Sequence, residues 1–149
     1  MPNELGEAQK KAWAALLIAH SYLTRRLDRE LVARGCPCLA VYDVLLALED
    51  APDHKLRMSD LADQVVFDAS SLTRMVDRLV KEGYVARENH PTDRRSVYAV
   101  LTPMGQKVRE MAWPTYRELI ETHFGQHITA VEAESMATAL RRIAPCKRH

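Results

Sequence analysis

The sequence predicts a mainly α-helical fold that carries one small β-hairpin, and three observations predict it. Apolar residues recur at three- and four-residue steps along most of the chain, the period of helices with one covered face. Two short runs, residues 84–87 and 96–101, are instead rich in β-formers and flank a polar tip. Ahead of them lie Ser59-Asp60-Leu61-Ala62-Asp63-Gln64-Val65-Val66, a three-residue break, and Ser70-Ser71-Leu72-Thr73-Arg74-Met75-Val76-Asp77-Arg78-Leu79, leading to Gly83. A short helix, a tight turn, an amphipathic helix and a hairpin, in that order, are the layout of a winged helix-turn-helix. The class is therefore α+β, with helix dominant.

Each element has its own signal. Residues 4–34 contain no proline, and no glycine after Gly6; Trp13, Leu16, Leu17, His20, Leu23, Leu27 and Leu31 mark one face of a long first helix. At about 45 Å it outreaches a compact domain, so its apolar face is expected to be covered by another copy of the chain. Gly35 suits a left-handed C-terminal cap. Cys36-Pro37-Cys38 is a connector, and residues 39–49 form a second helix whose Leu39, Tyr42, Leu45, Leu46 and Leu48 belong in the core. Residues 50–54, with Pro52, are a loop, and Leu56-Arg57-Met58 is a short strand able to pair with the hairpin. Ser59 is expected to cap the third helix, with Asp60 and Asp63 in its first turn and Leu61, Ala62, Val65 and Val66 inward. Phe67-Asp68-Ala69 is the turn, and Ser70 caps the fourth helix. Thr102-Pro103 starts a fifth helix with the stripe Val108, Met111, Ala112, Tyr116, Leu119 and Ile120, kinked at Pro114. Thr129-Ala130-Val131-Glu132 is a capping box opening a sixth helix through Met136, Ala139, Leu140 and Ile143, ending near Pro145; residues 146–149 fray.

Composition sets the outer limits. With 149 residues, 47% of them hydrophobic and 28% charged, the chain is expected to be a single globular domain. The longest apolar run, residues 12–19, is too short to span a bilayer and lacks the small-residue cleavage site of a signal peptide. The expected location is the cytoplasm, with no membrane partner. Three cysteines, Cys36, Cys38 and Cys146, are an odd number and fit a reducing compartment better than a disulfide framework. The net charge of +1 gives no global footprint for nucleic acid, so any such footprint must be local.

That footprint has two parts. On the fourth helix Leu72, Val76 and Leu79 stack on one face, with Met75 and Val80 beside them. Ser71, Arg74, Asp77, Arg78 and Lys81 fall on the other, with Thr73 near its edge. Hydroxyls and guanidinium groups on one helix face suit phosphates and base edges in a major groove. At the hairpin tip, Arg94-Arg95 is placed to enter a minor groove, where A·T-rich sequence has the strongest negative potential. Residues 70–95 hold six Lys/Arg against four Asp/Glu, so placement matters more than the sum.

Four motifs then carry a resemblance: Leu72-Thr73-Arg74-Met75-Val76-Asp77-Arg78-Leu79, Gly83-Tyr84-Val85, Pro91-Thr92-Asp93-Arg94-Arg95 and Leu101-Thr102-Pro103-Met104-Gly105. In this order and spacing the chain resembles a MarR-family transcriptional regulator over essentially its whole length. The resemblance implies a homodimeric repressor. Its terminal helices, residues 4–34 and 102–145, would intertwine as the dimerisation region, and residues 39–101 would form the winged DNA-binding core. Two recognition helices would enter successive major grooves of a pseudo-palindromic double-stranded operator. It assigns Ser70, Ser71, Thr73, Arg74 and Arg78 to recognition-helix contacts and Arg95 to the minor groove. Arg94 is assigned to a phosphate, and Asp93 to holding the loop in shape. It also implies release by a small effector, often an aromatic acid, in the crease between the dimerisation helices and the winged core. In a urate-responsive branch an aspartate on the second helix and an arginine on the recognition helix belong to that site, and Asp43 and Arg74 match them. The branch's tryptophan sits on an extra N-terminal helix, whereas Trp13 lies on the first helix. A simple Asp43–Arg74 salt bridge is the competing reading.

Rival readings are weaker. Cys36 and Cys38 could sense oxidation, but the family's peroxide sensors carry their cysteine near the start of the first helix, and small apolar packing is the default. His123 and His127, four apart, could share zinc with His20, Cys36 or Cys38, although zinc-responsive relatives place such a pair nearer the start of the fifth helix. A cationic helix end explains the pair without metal. No cofactor or metal is expected. A winged helix used only for protein contacts would have no need of Arg94-Arg95. No nucleophile elbow, phosphate loop or His-Glu-x-x-His motif supports an enzyme.

Overall fold

The computed structural model describes residues 4–65 and 69–145. Among these residues six α-helices and three strands follow one another as α1 (Glu7–Ala33), α2 (Leu39–Asp50), β1 (Lys55–Arg57), α3 (Met58–Gln64), α4 (Ala69–Lys81), β2 (Val85–Asn89), β3 (Val97–Leu101), α5 (Pro103–His123) and α6 (Ala130–Ile143). The strands form one antiparallel sheet in the order β1-β3-β2, with Leu56 opposite Ala99 and Arg87 opposite the same Ala99 from the other side. This is the winged helix-turn-helix that the sequence predicts.

Two helices end the same way. At the end of α1, Cys36 N–H donates to Leu31 O and Gly35 N–H to Val32 O, both at 3.0 Å, with Gly35 at φ +75°. At the end of α4, Tyr84 N–H reaches Leu79 O at 3.0 Å and Gly83 N–H reaches Val80 O at 3.1 Å, with Gly83 at φ +82°. Both are Schellman caps, in which glycine supplies the left-handed residue. The second cap delivers the chain straight into β2.

The main core joins Val44, Leu45 and Leu48 of α2, Leu61 of α3, Leu72, Val76 and Leu79 of α4, and Val85, Ala99 and Leu101 of the sheet. A smaller cluster ties Leu27 and Leu31 of α1 to Leu119 of α5. Between the two, Arg109 of α5 and Glu49 of α2 form a half-buried bidentate ion pair, with Nη2 donating to Oε1 at 2.8 Å and Nε 2.6 Å from Oε2. The start of α5 is pinned as well. Thr102 Oγ1 donates to Gly83 O at 2.6 Å and accepts from Gly105 N–H at 3.1 Å. A Cβ on Gly105 would come within 2.1 Å of Tyr84 O, so only glycine lets α5 lie this close to the turn after α4.

Several local expectations need correction. Ser59 does not cap α3: the helix begins at Met58, directly after the last residue of β1, so Ser59 is already inside it. Sheet pairing through Arg57 sets that start, and it overrides the local preference of serine for caps. Ser70 likewise lies in the first turn of α4, which begins at Ala69, and Ala69 is helical rather than part of the turn. Val66, expected on the inward face of the third helix, and Phe67 and Asp68 of the expected turn lie outside the described residues, as do residues 146–149. The first strand starts at Lys55 rather than Leu56. The helix α5 continues through Pro114, whose missing N–H leaves the Glu110 carbonyl without its intrahelical donor. The capping box at Thr129 is present in both directions, at 3.2 and 2.9 Å.

Candidate nucleic-acid interface

The exposed side of α4 follows from its buried side. Leu72, Val76 and Leu79 are at most 2% exposed and fix the helix against α2 and the sheet. Ser70, Ser71, Thr73, Arg74, Arg78 and Lys81 consequently point outward, with Asp77 half-buried. Asp77 forms an ion pair with Arg87 of β2, which neutralises one acidic group on this face and ties the helix to the hairpin. Arg78 Nε lies 3.9 Å from Glu82 Oε1, a loose surface pair. Among the described residues Arg74 makes no ion pair, so the bridge to Asp43 is not formed. The reason is placement: Asp43 lies on the side of α2 turned towards α1, whereas Arg74 is on the outer face of α4.

The hairpin tip is a built turn. Asp93 Oδ1 accepts the Arg95 backbone N–H at 3.0 Å, and Oδ2 accepts the Ser96 hydroxyl at 3.1 Å. Ser96 N–H closes on Asp93 O at 3.1 Å, and His90 N–H on Ser96 O at 3.0 Å. The Arg95 N–H and then the Ser96 hydroxyl hold the Asp93 carboxyl below its ordinary range. Arg94 and Arg95 are exposed, and among the described residues neither is tied up in an ion pair. A turn whose acidic residue bonds its own backbone therefore leaves two guanidinium groups available at its tip.

Sequence reasoning missed the base of this wing. Arg57 of β1 places Nη2 3.1 Å from His90 Nε2, and the His90 ring stacks on Tyr98 with centroids 5.6 Å apart. Lys55 pairs with Glu88 at 3.3 Å and lies over the Tyr98 ring. Arg57 and His90 are 33 positions apart in sequence, and no local motif joins them. Only the register of β1 and β2 on the shared strand β3 brings them together.

The expected effector residues do not converge. A cleft of about 500 Å³ between α1, α2 and α5 is lined by His20, Arg25, Asp28, Tyr42, Asp43 and Tyr116, among others. Asp43 lines it; Trp13 and Arg74 do not. Trp13 is 61% exposed on the free face of α1. The rival sites are also resolved into parts. Cys36 packs on the Leu27–Leu31–Leu119 cluster and Cys38 on the main core, on opposite sides of Pro37. His123 ends α5 and bonds Glu30 Oε2 at 2.7 Å, while His127 lies beyond it in a separate 3₁₀ turn, so the two do not share a helix. The described residues contain no group of three or more His, Cys, Asp or Glu placed to hold a metal ion. Nor do they contain a helix long and apolar enough to cross a membrane.

The fold and this arrangement define a winged helix-turn-helix protein with an exposed recognition-type helix and a basic wing tip. Residues 39–97 match the model of the MarR family. The structure superposes on Sco3205 of Streptomyces coelicolor, a MarR family transcriptional regulator solved in complex with DNA. That match has a TM-score of 0.81 at 30% identity, covering 97% of this chain and 90% of that one. AbsC, another MarR family transcriptional regulator from S. coelicolor, matches with a TM-score of 0.80 at 28% identity over 95% of each chain. In sequence the chain is 32% identical over 73 residues to the HTH-type transcriptional repressor YetL of Bacillus subtilis, 49% of this chain and 44% of that protein. It is also 32% identical to the multiple antibiotic resistance protein MarR of Salmonella typhimurium, over 52% of this chain and 54% of that protein. The chain thus spans about half the length of these two curated relatives. It belongs to the MarR family of transcriptional regulators.

Proposed function

We propose that the chain is a sequence-specific DNA-binding transcriptional regulator, acting as a homodimeric repressor whose operator is released by a small-molecule effector. The observation that carries the DNA-binding reading is the division of α4 into a fully buried Leu72–Val76–Leu79 face and an exposed Ser70–Ser71–Thr73–Arg74–Arg78 face, beside a wing tip with exposed Arg94 and Arg95. In this reading the α4 face takes the major groove, Arg95 the adjoining minor groove and Arg94 a phosphate, while Asp93 shapes the turn. The similar protein Sco3205 was solved in complex with DNA, which supports DNA binding by this fold.

Exposed apolar surface supports the homodimer. Trp13, Ile18, Met111, Val131 and Ile143 are each more than 60% exposed, and among its described residues α6 buries none. A second copy of the terminal helices would cover this surface. The cleft beside Asp43 and Tyr116 supports an aromatic effector, because two tyrosines and apolar walls would enclose a ring while Arg25 or His20 meets an acid group. Selection of bound fragments from random DNA, followed by footprinting, tests the reading. The expected product is a pseudo-palindrome with half-sites about one helical turn apart. Recovery of no enriched sequence would contradict it.

A further inference from the structure

Both ring nitrogens of His90 meet donors. The backbone N–H groups of Thr92 and Asp93 donate to Nδ1, each at 3.2 Å, and the Thr92 hydroxyl lies 3.2 Å from the same nitrogen. On the other side, Nε2 faces Nη2 of Arg57 at 3.1 Å. A neutral imidazole has one proton and one lone pair. With the proton on Nε2, Nδ1 accepts both backbone N–H groups. With the proton on Nδ1, the Thr92 hydroxyl accepts it and Arg57 donates to Nε2. Each neutral form satisfies part of the set.

The imidazolium satisfies almost none of it. It has no lone pair, so it can accept neither the two backbone N–H groups nor the Arg57 guanidinium, and it sets a second cation against that guanidinium. The other groups around the ring do not offset this equally. Tyr98 of β3 stacks on it as a neutral ring, and Lys55 of β1, over the far part of the cluster, adds positive charge offset by its partner Glu88 of β2. Asp93, the acidic group in the turn, attracts a charged ring through space, and Asp60 of α3 lies near Arg57. The two Asp93 oxygens already accept from the Arg95 N–H and the Ser96 hydroxyl, so neither carboxylate replaces the lost hydrogen bonds.

We propose that His90 is a positioning residue that holds the wing in shape only while its imidazole is neutral. Protonation releases the Thr92–Asp93 turn from β1 and weakens the grip of Arg94 and Arg95 on DNA. The last step rests on the DNA-binding reading above; the release of the turn is a property of the free protein. Acid therefore acts on the wing through one ring, without touching the recognition helix.

The test uses full-length wild type, His90→Asn and His90→Phe. Asparagine keeps an acceptor that can take the N–H two residues on and does not titrate, whereas phenylalanine keeps the stack on Tyr98 and loses the acceptor. NMR of the free proteins, with the pH lowered until the His90 ring's own resonances report its protonation, reads the turn through the Thr92 and Asp93 amides. The Thr92 and Asp93 amides of wild type are expected to shift and exchange faster as the imidazole protonates, to stay unchanged in His90→Asn, and to be unprotected throughout in His90→Phe. Over the same range the Kd of wild type for a selected DNA duplex rises about five-fold relative to His90→Asn, the effect of one net hydrogen bond lost. Wild-type amides that ignore His90 protonation, or wild-type and His90→Asn affinities that track each other, would overturn the proposal. Absence of DNA binding by all three at every pH would count against the DNA-binding reading, while the amide profiles still decide the latch.

Discussion

The winged core and the terminal helices obey different rules. In the core, α2, α3, α4 and the sheet bury Val44, Leu45, Leu48, Leu61, Val76 and Leu79 completely, and every helix presents a covered face to another element of the same chain. In the terminal helices, α1 is buried only near its C-terminal end at Leu27 and Leu31, and Ile18 and Ile143 stand 70% and 77% exposed. The amphipathic period is the same in both regions. What differs is whether the partner surface lies in the same chain or, on the proposed reading, in a second copy. Stability should then live in the core, and assembly in the terminal helices.

The sharpest way to break this contrast is a set of three substitutions. Leu79→Ala empties a fully buried site and is expected to cost about 2–5 kcal/mol in urea denaturation, enough to unfold a marginal domain. Gly105→Ala should be costly too, at about 1–3 kcal/mol, because its Cβ meets the Tyr84 carbonyl rather than a movable side chain. Met111→Glu, 71% exposed on α5, should leave the chain folded and shift light scattering at micromolar concentration from dimer to monomer. A folded wild-type monomer at that concentration would remove the terminal-helix half of the comparison.

The smallest expected effect is the acid limb of stability. Hydrogen bonding from His123 holds Glu30 below its ordinary range, and the Arg95 N–H does the same for Asp93. A carboxyl depressed in the folded state stabilises above its unfolded value and loses that contribution as pH falls through the folded one. Urea midpoints of wild type should therefore fall below the ordinary values of 4.5 and 3.8, and Glu30→Gln with Asp93→Asn should flatten that fall. Equal acid limbs in the two proteins would contradict the assignment.

The same contrast governs what could be read from residues alone. The winged core was legible because its signals are local: the α4 stripe, the glycines at 35 and 83, and the Thr102-Pro103 start. The free face of α1 was legible for the opposite reason, its length exceeding what one domain covers. Serine's cap preference misled at Ser59 and Ser70 because strand pairing, not local chemistry, sets where α3 starts, and α4 is already helical at Ala69. The Glu49–Arg109 junction and the Arg57–His90 contact carry no sequence signal, since each joins residues on separate elements through the packed fold. Trp13, Asp43 and Arg74 failed to meet for a related reason: matching types in matching helices do not fix which way each helix face turns.

The central claim is that the wing tip reads DNA through individually placed guanidinium groups rather than bulk charge. A titration of the selected duplex with wild type and Arg95→Ala, repeated at several salt concentrations, tests it most directly. Arg95→Ala is expected to bind more weakly and to reduce the slope of log K against log salt by about one counterion. An unchanged affinity and an unchanged slope would contradict the account.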